Sequence, residues 1–415
     1  MRFGSWVLLL ILLSSAADAA ERIADIRFEG NRVTKDHILM QEMTVTVGDI
    51  ANREAIENSR QAVMNLGLFE WVRWELTEAA NGLLLTISVK EKYYVLPLPR
   101  LDGDPDGSYS YGADLRLDNI GGLNQRLKLI LDNSSHVNDK DALKRELSAE
   151  YSYPRIEGSS YNLNADFEIE RREFDILEES TEARYRRESR RIGVEVSRWL
   201  DTFGPSRGWR IGGGYTLEQR DFSRLSGASL REDDQAVALS GSILFDALQD
   251  HGYYRSGGVT GYQANVGLKE LGSDYFYNRH TVFYRRYHAY GDGHNLNWQL
   301  RFGAAKGRRF EGLAYEIGGA DTLRGYDSVD GNAMALANIE YLKPLWRRLR
   351  GVLFADVGNV YPDLGDTDLT DLRTGAGLGL RWDVTWFVDL SLRVDVAYGF
   401  DTKEVQSYAG TSRTF

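Results

Sequence analysis

The sequence predicts a transmembrane antiparallel β-barrel of about sixteen strands, preceded by one small α+β domain. Three observations carry this. The first twenty residues read as an export signal. Period-two alternation of apolar and polar residues runs through nearly everything after Lys92. The stretch between mixes helical and strand spacing in an order that can bury one small core.

Composition sets the bounds. The chain has 415 residues, a formal net charge of −11 and no cysteine. Lacking cysteine, it can build neither a disulfide framework nor a thiolate metal site or nucleophile. An acidic total without a basic block argues against nucleic acid as a partner. Apolar content is 42%, yet glycine reaches 42 residues and mean hydropathy is −0.40. No stretch beyond residue 20 approaches eighteen uninterrupted apolar residues, so a spanning helix is not expected.

Residues 1–20 open with Met1-Arg2, run apolar from Trp6 to Leu13, and offer Ala17-Asp18-Ala19 to a signal peptidase. The mature protein is therefore expected to be exported, and any membrane attachment falls to strands.

Residues 21–92 form the small domain. Ile23, Ile26 and Phe28 mark a short strand, and Gly30-Asn31 a turn. Thr34 is expected to cap a short helix ending near Met40. Ile56, Ser59, Val63 and Leu66 recur at helical spacing over 53–66, with Asn65 and Gly67 as the stop. Strands are expected over 69–76 and 83–89, around the Asn81-Gly82 turn.

Residues 93–415 form the barrel. Tyr161, Leu163, Ala165, Phe167 and Ile169 alternate with Asn162, Asn164, Asp166, Glu168 and Glu170. Leu392, Val394, Val396 and Tyr398 alternate with Arg393, Asp395 and Ala397. A soluble sandwich can show the same pattern. The export signal, the extent of the pattern and the aromatic residues near strand ends favour an outer-membrane barrel. A spanning strand needs about 9–11 residues, or about 20 with its turn, which yields about sixteen. A charged inner face implies a wet or plugged lumen. The charge run 184–191 reads as a solvated strand face, and 220–234 as a surface loop.

The stretch from Gly318 to Tyr326 stands out from this background. Leu323-Arg324-Gly325-Tyr326 sets one arginine between an apolar residue and a Gly-Tyr pair. Two later strand-like runs carry Glu340 and Asp356. A guanidinium in a partly desolvated lumen needs carboxylates for its fork of donors, and these two residues could supply them. An exposed, unpartnered loop arginine is the plainer alternative.

Residues 21–92 resemble a POTRA domain, through Ile26-Arg27-Phe28-Glu29-Gly30-Asn31, Asn65-Leu66-Gly67-Leu68-Phe69-Glu70 and the closing run to Lys92. Leu323-Arg324-Gly325-Tyr326 resembles the inward-folded loop motif of the BamA/TamA outer-membrane insertase and two-partner secretion transporter superfamily. Asn338-Ile339-Glu340-Tyr341, Phe354-Ala355-Asp356-Val357-Gly358-Asn359 and Gly375-Ala376-Gly377-Leu378-Gly379-Leu380-Arg381-Trp382 support it, and the chain ends in Phe415. The resemblance implies a non-enzymatic protein of the Gram-negative outer membrane with its POTRA domain in the periplasm. It also implies surrounding outer-membrane lipid, unfolded or exported polypeptide clients taken by strand addition, and room for a periplasmic partner at the POTRA domain. No cofactor or metal is implied. One departure matters. The essential assembly proteins carry several POTRA domains and the two-partner transporters two plus a plug helix, whereas one is visible here. That puts a role as main assembly factor in doubt.

The expected first barrel strand contains Pro97 and Pro99, of equal parity, so one of its edges lacks two donors. The expected last strand, 405–415, is polar and small and ends at Phe415. Weak pairing between the two would make a seam that opens laterally, as insertases of this superfamily are thought to do. Prolines in a plain linker are the alternative.

Two other function classes stay open: a passive pore, and a barrel-embedded lipid hydrolase with a Ser-His pair across strands. Gly204-Pro205-Ser206-Arg207-Gly208 has the nucleophile-elbow pattern without its strand-to-helix context. Gly375, Gly377 and Gly379 read as strand glycines, and the six histidines show no metal spacing.

Overall fold

The computed structural model describes residues 22–103, 108–136, 144–178, 181–201, 203–252, 254–307, 313–383 and 391–411. The expected export signal and Phe415 lie outside the described residues.

The N-terminal domain comprises β1 (Ile23–Glu29), α1 (Asp36–Met40), α2 (Arg53–Asn65), β2 (Phe69–Ala79) and β3 (Gly82–Glu91). Its sheet has the order β1-β3-β2, with β1 parallel and β2 antiparallel to β3. Asn52 caps α2, its Oδ1 accepting from Glu54 N at 2.8 Å and Ala55 N at 3.1 Å. Ile56, Val63 and Met64 of α2 pack on Phe69, Val72, Leu85 and Ile87 of the sheet. The cap expected of Thr34 is not made: α1 starts after Lys35 without a side-chain cap. The Thr34 hydroxyl instead donates to Glu91 Oε1 at 2.6 Å and accepts from Asn119 Nδ2 at 2.8 Å. It is recruited by the domain's last strand and by the barrel.

The barrel begins with β4 (Val95–Gly103), β5 (Ser108–Ile120), β6 (Gln125–His136), β7 (Lys144–Tyr153), β8 (Tyr161–Glu178), β9 (Thr181–Trp199) and β10 (Gly208–Gly227). It continues with β11 (Asp234–Asp246), the two-residue β12 (Gln249–Asp250), β13 (Arg255–Gly267), β14 (Tyr277–Tyr290) and β15 (His294–Gly307). A short ribbon of β16 (Tyr315–Ile317) and β17 (Val329–Gly331) intervenes. Then come β18 (Ala333–Trp346), β19 (Leu349–Tyr361), β20 (Arg373–Asp383), β21 (Ser391–Gly399) and β22 (Glu404–Gly410). Leaving out β12 and the ribbon, sixteen antiparallel strands close into a barrel, with β22 beside β4. Closure is how a sheet removes its free edges in lipid, and here it is completed between β22 and β4. No helix among the described residues is long and apolar enough to cross a membrane.

Faces follow strand parity. Ile339, Leu353, Leu378, Leu380, Val394 and Val396 are exposed on the outside, while Asn338, Glu340, Asp356, Arg381 and Asp395 are buried inside. β8, β9 and β10 have 18, 19 and 20 residues, well beyond the roughly 9–11 that span a bilayer, so they project past it. The surface loop expected over 220–234 shrinks to 228–233, because β10 runs on to Gly227. The charge run 184–191 lies within β9.

The N-terminal domain docks on the turns at its own end of the barrel. Lys35 N donates to Gly122 O at 3.0 Å, and Gln61 Nε2 to Asp250 O at 2.8 Å. Asp250 N donates in return to Asn65 Oδ1 at 3.0 Å. Glu42 is buried between Ser206, whose hydroxyl donates at 3.1 Å, and Arg155, whose Nε lies 3.7 Å away. Ser206 thus sits in a turn and serves this contact, away from any strand-to-helix elbow.

Candidate functional site

The connection between β15 and β18 folds into the lumen. Its ribbon and Leu323 and Tyr326 pack with Tyr275, Tyr277, Met334 and Leu336 on the inner wall. Glycines make the close approach possible. Gly325 has φ +92°, and a Cβ there would stand 2.7 Å from Gly399 N. On the wall, a Cβ at Gly399 would stand 2.3 Å from Gly325 O.

This approach brings Arg324 against three strands. Its Nε donates to Asp356 Oδ2 at 2.7 Å and its Nη2 to Asp356 Oδ1 at 2.8 Å, a fork on both oxygens of β19. Its Nη1 lies 2.6 Å from Glu340 Oε1 on β18 and 3.4 Å from Asp395 Oδ2 on β21. The guanidinium also stacks over Phe354, 3.5 Å from the ring centroid. Arg381 on β20 joins from the wall, with Nη2 2.9 Å from Asp395 Oδ2 and 3.3 Å from Glu340 Oε1. Asn338 Nδ2 bridges Asp356 Oδ1 at 2.7 Å and Thr322 O at 2.6 Å. Two guanidiniums and three carboxylates are thus desolvated together, which is tolerable only because each group is met by several partners.

The remaining loop residues are also held. Gly325 N donates to the Tyr408 hydroxyl of β22 at 2.9 Å. The Tyr326 hydroxyl lies 2.7 Å from both Thr374 O and Asp401 Oδ2. Leu323 is fully buried. The structure therefore brings together Leu323, Arg324, Gly325, Tyr326, Glu340 and Asp356. Sequence reasoning missed Asp395, Arg381, Phe354 and Tyr408. Their signal was present: Asp395 stands between Val394 and Val396, and Arg381 between Leu380 and Trp382, at the inward parity of outwardly apolar strands.

Pro97 and Pro99 lie elsewhere, on β4. Asp118 N donates to Tyr94 O at 2.7 Å, which makes 94/118 a hydrogen-bonded pair of the β4–β5 ladder. The register runs unbroken from Val95↔Leu117 to Gly103↔Tyr109. Bonded and non-bonded pairs alternate, so Pro97↔Leu115 and Pro99↔Ala113 are non-bonded pairs. Both proline nitrogens then face the other edge of β4, towards β22. At that edge the described residues show a single registered pair, Ala409↔Gly103.

Other chemistry is sparse among the described residues. Glu146, Glu168 and Glu170 converge, but Lys144 lies 2.9 Å from Glu170 and 3.2 Å from Glu146, and Arg187 also pairs with Glu170. These cations fill the place of a metal. His251 Nε2 lies 2.9 Å from Ser256 Oγ within one hairpin. No described carboxylate hydrogen-bonds its other ring nitrogen, as a hydrolytic triad would require.

Residues 119–415 match the Omp85 superfamily domain, and residues 21–92 match the surface antigen variable number repeat, the POTRA domain. The chain belongs to the Omp85 superfamily, and its barrel lies in the outer membrane with the POTRA domain on the periplasmic side. It is 22% identical over 384 residues to the outer membrane protein assembly factor BamA of Nitratidesulfovibrio vulgaris, covering 85% of this chain and 46% of that protein. The chain thus spans about half the length of this curated relative. Among solved structures, CdiB from Escherichia coli is similar, with a TM-score of 0.67, 14% identity, and coverage of 94% of this chain and 76% of that one. BamA from Haemophilus ducreyi lacking POTRA domains 1–3 has a TM-score of 0.52 and 18% identity, covering 94% and 84%. These structural likenesses are of fold.

Proposed function

We propose that this Omp85-superfamily protein assists the insertion or translocation of other polypeptides at the outer membrane. The observation that carries this reading is the seam. β4 and β22 meet at Ala409↔Gly103, and that register sets Pro97 opposite position 415 and Pro99 opposite position 413, both outside the described residues. Two missing donors on β4 face this seam, which weakens the ladder that can form across it. An open strand edge is a template for another strand, and a client extended along it gains main-chain hydrogen bonds. In the POTRA domain β2 is an edge strand whose outer side pairs with no described strand, which suits delivery by strand addition. The Arg324 cluster acts as an internal brace that keeps the last strands in register while the seam moves.

The chain has no cysteine, so Gly103→Cys with Ala409→Cys can be joined without competing thiols. Facing residues of an antiparallel pair lie about 4.5–5.5 Å apart at Cα, within disulfide reach. The oxidised double variant in liposomes should fail to insert a client β-barrel, and reduction should restore insertion. Equal activity in both states would refute the lateral seam. A passive pore is the second reading, favoured by the charged lumen; client-independent conductance from a seam-locked protein would support it.

A further inference from the structure

Among the described residues most charged side chains on the inner wall are ion-paired, but on β14 and β15 three neighbouring-strand guanidiniums are not. Arg279 and Arg285 on β14 and Arg301 on β15 share the inward parity of their strands, since Val282, Tyr284, Leu300 and Phe302 point out. Thr281, between the first two, bonds the Tyr315 hydroxyl of the inward loop at 2.9 Å. The register sets Phe283 opposite Arg301 and Arg285 opposite Gln299. Arg285 and Arg301 are therefore diagonal neighbours, about 7–8 Å apart at the backbone and closer through their long side chains. Arg301 lies within the Coulombic reach of Arg285 and Arg279, and also of Asp321, a carboxylate already ion-paired with Arg393 at 2.6 Å.

Among the described residues none of the three has an ion-pair partner, and the Nε–H groups of Arg279 and Arg285 are buried without an acceptor. Their contacts are aromatic: Arg279 lies 4.3 Å from the Tyr315 centroid and Arg285 5.4 Å from that of Phe283. By contrast Arg324, Arg350 and Arg381 each pair with a wall carboxylate and Arg393 pairs with Asp321 of the inward loop, although the Nε–H groups of Arg350 and Arg393 also lack an acceptor. Asn265 is the cross-strand partner of Arg279, and it edges a cavity of about 170 Å³. Gln263, Ser240 and Ser242 line it on this side, and Asp166 and Glu195 stand at its far side on β8 and β9.

We propose that Arg285 and Arg301, with Arg279 about 20 Å further along β14 at the backbone, form a lumenal binding site for polyvalent oxyanions of the phosphate class. Like charges gathered without an ion-pair partner, two of them with a buried Nε–H that meets no acceptor, suit an acceptor with more than one negative charge and several oxygens. Phosphate geometry matches the guanidinium fork two donors at a time. A ring of arginines is also how anion-conducting pores read their ions. Chloride, with one charge and no oxygens, cannot engage several forks at once.

The test uses the full folded chain in detergent. Inorganic pyrophosphate is titrated against sodium chloride at matched ionic strength, with calorimetry and the melting midpoint as readouts. Pyrophosphate should bind saturably and raise the midpoint beyond chloride. R285Q/R301Q should weaken binding at least tenfold. R285K/R301K keeps the charge and loses the fork, so it should weaken binding as well and serves if the first pair folds poorly. R171Q, which removes an arginine paired with Glu188 on the outer face, should bind as wild type. A pyrophosphate effect no larger than chloride's, or one that survives intact in both double variants, would overturn the site.

Discussion

The carbonyl oxygen of Arg324 rests on the bare Cα of Gly375, where a Cβ would stand 2.2 Å away. The loop that carries the guanidinium is thus seated by backbone contact before any charge is counted. Gly325 against Gly399 repeats the device one strand over. Close packing of this sort tolerates no added methyl group without a shift of backbone.

Gly375→Ala should therefore displace the loop. The expected cost is about 1–3 kcal/mol from overpacking. Limited proteolysis within 318–331 should become faster, while Gly365→Ala, which has nothing within 4 Å, should leave it unchanged. Equal cleavage in the two variants would separate the glycine from the loop's position.

Arg324→Ala leaves Glu340 and Asp395 sharing Arg381, and Asp356 with the Asn338 amide but no ion-pair partner among the described residues. Breaking a buried ionic group by removing one partner typically costs about 3–5 kcal/mol. A lower urea midpoint and a smaller heat-modifiable fraction are expected. Arg324→Lys should not rescue it, because one ammonium cannot replace a fork on both Asp356 oxygens. The double variant Arg324→Ala/Asp356→Ala should cost less than the two single costs summed.

Pro97→Val with Pro99→Val restores two N–H groups on the side of β4 that faces β22. Both positions are exposed on the outer face, so valine suits them. The new amides should exchange slowly if the seam closes on them, and client insertion should fall. Fast exchange with unchanged insertion would mean that the prolines do not hold the seam open.

Burial raises the Glu42 carboxyl above its usual range, outweighing the hydrogen bond from Ser206 and the charge of Arg155. The folded, docked state therefore binds this proton more tightly than the unfolded chain does. Its contribution is full below the ordinary carboxylate range and is lost as pH rises through the raised value. Amide exchange at 41–45 and 203–206, corrected for intrinsic rate, should be slower at pH 5 than at pH 8. Glu42→Gln, neutral at both, should abolish the difference. A wild type indifferent to pH would show that docking does not depend on this proton.

Much of the architecture was legible because it rests on local rules. Period-two alternation identified the strands, and strand length set their number near sixteen. The failures came where tertiary contacts outbid local ones. Thr34 sits where a cap belongs, yet Glu91 and Asn119 claim its hydroxyl. Residues 220–227 are polar enough for a loop, yet β9 offers them a ladder beyond the membrane. In the cluster, Arg324, Glu340 and Asp356 stand out because loop and strand charges of opposite sign are conspicuous. Asp395 and Arg381 do not, because a single charge in an alternating strand is what any wet lumen provides.

By itself the sequence determined that this chain alternates into an outer-membrane barrel behind one small α+β domain, since burial on one face needs only the right period. Only the tertiary structure decided which charges meet. Strands distant in sequence bring Glu340, Asp356 and Asp395 to one guanidinium because closure and register place them there. The same closure leaves Arg285 and Arg301 diagonal to each other without an ion-pair partner among the described residues, and turns the proline nitrogens of β4 towards β22. Parity says which face a residue takes, but register alone says what it faces.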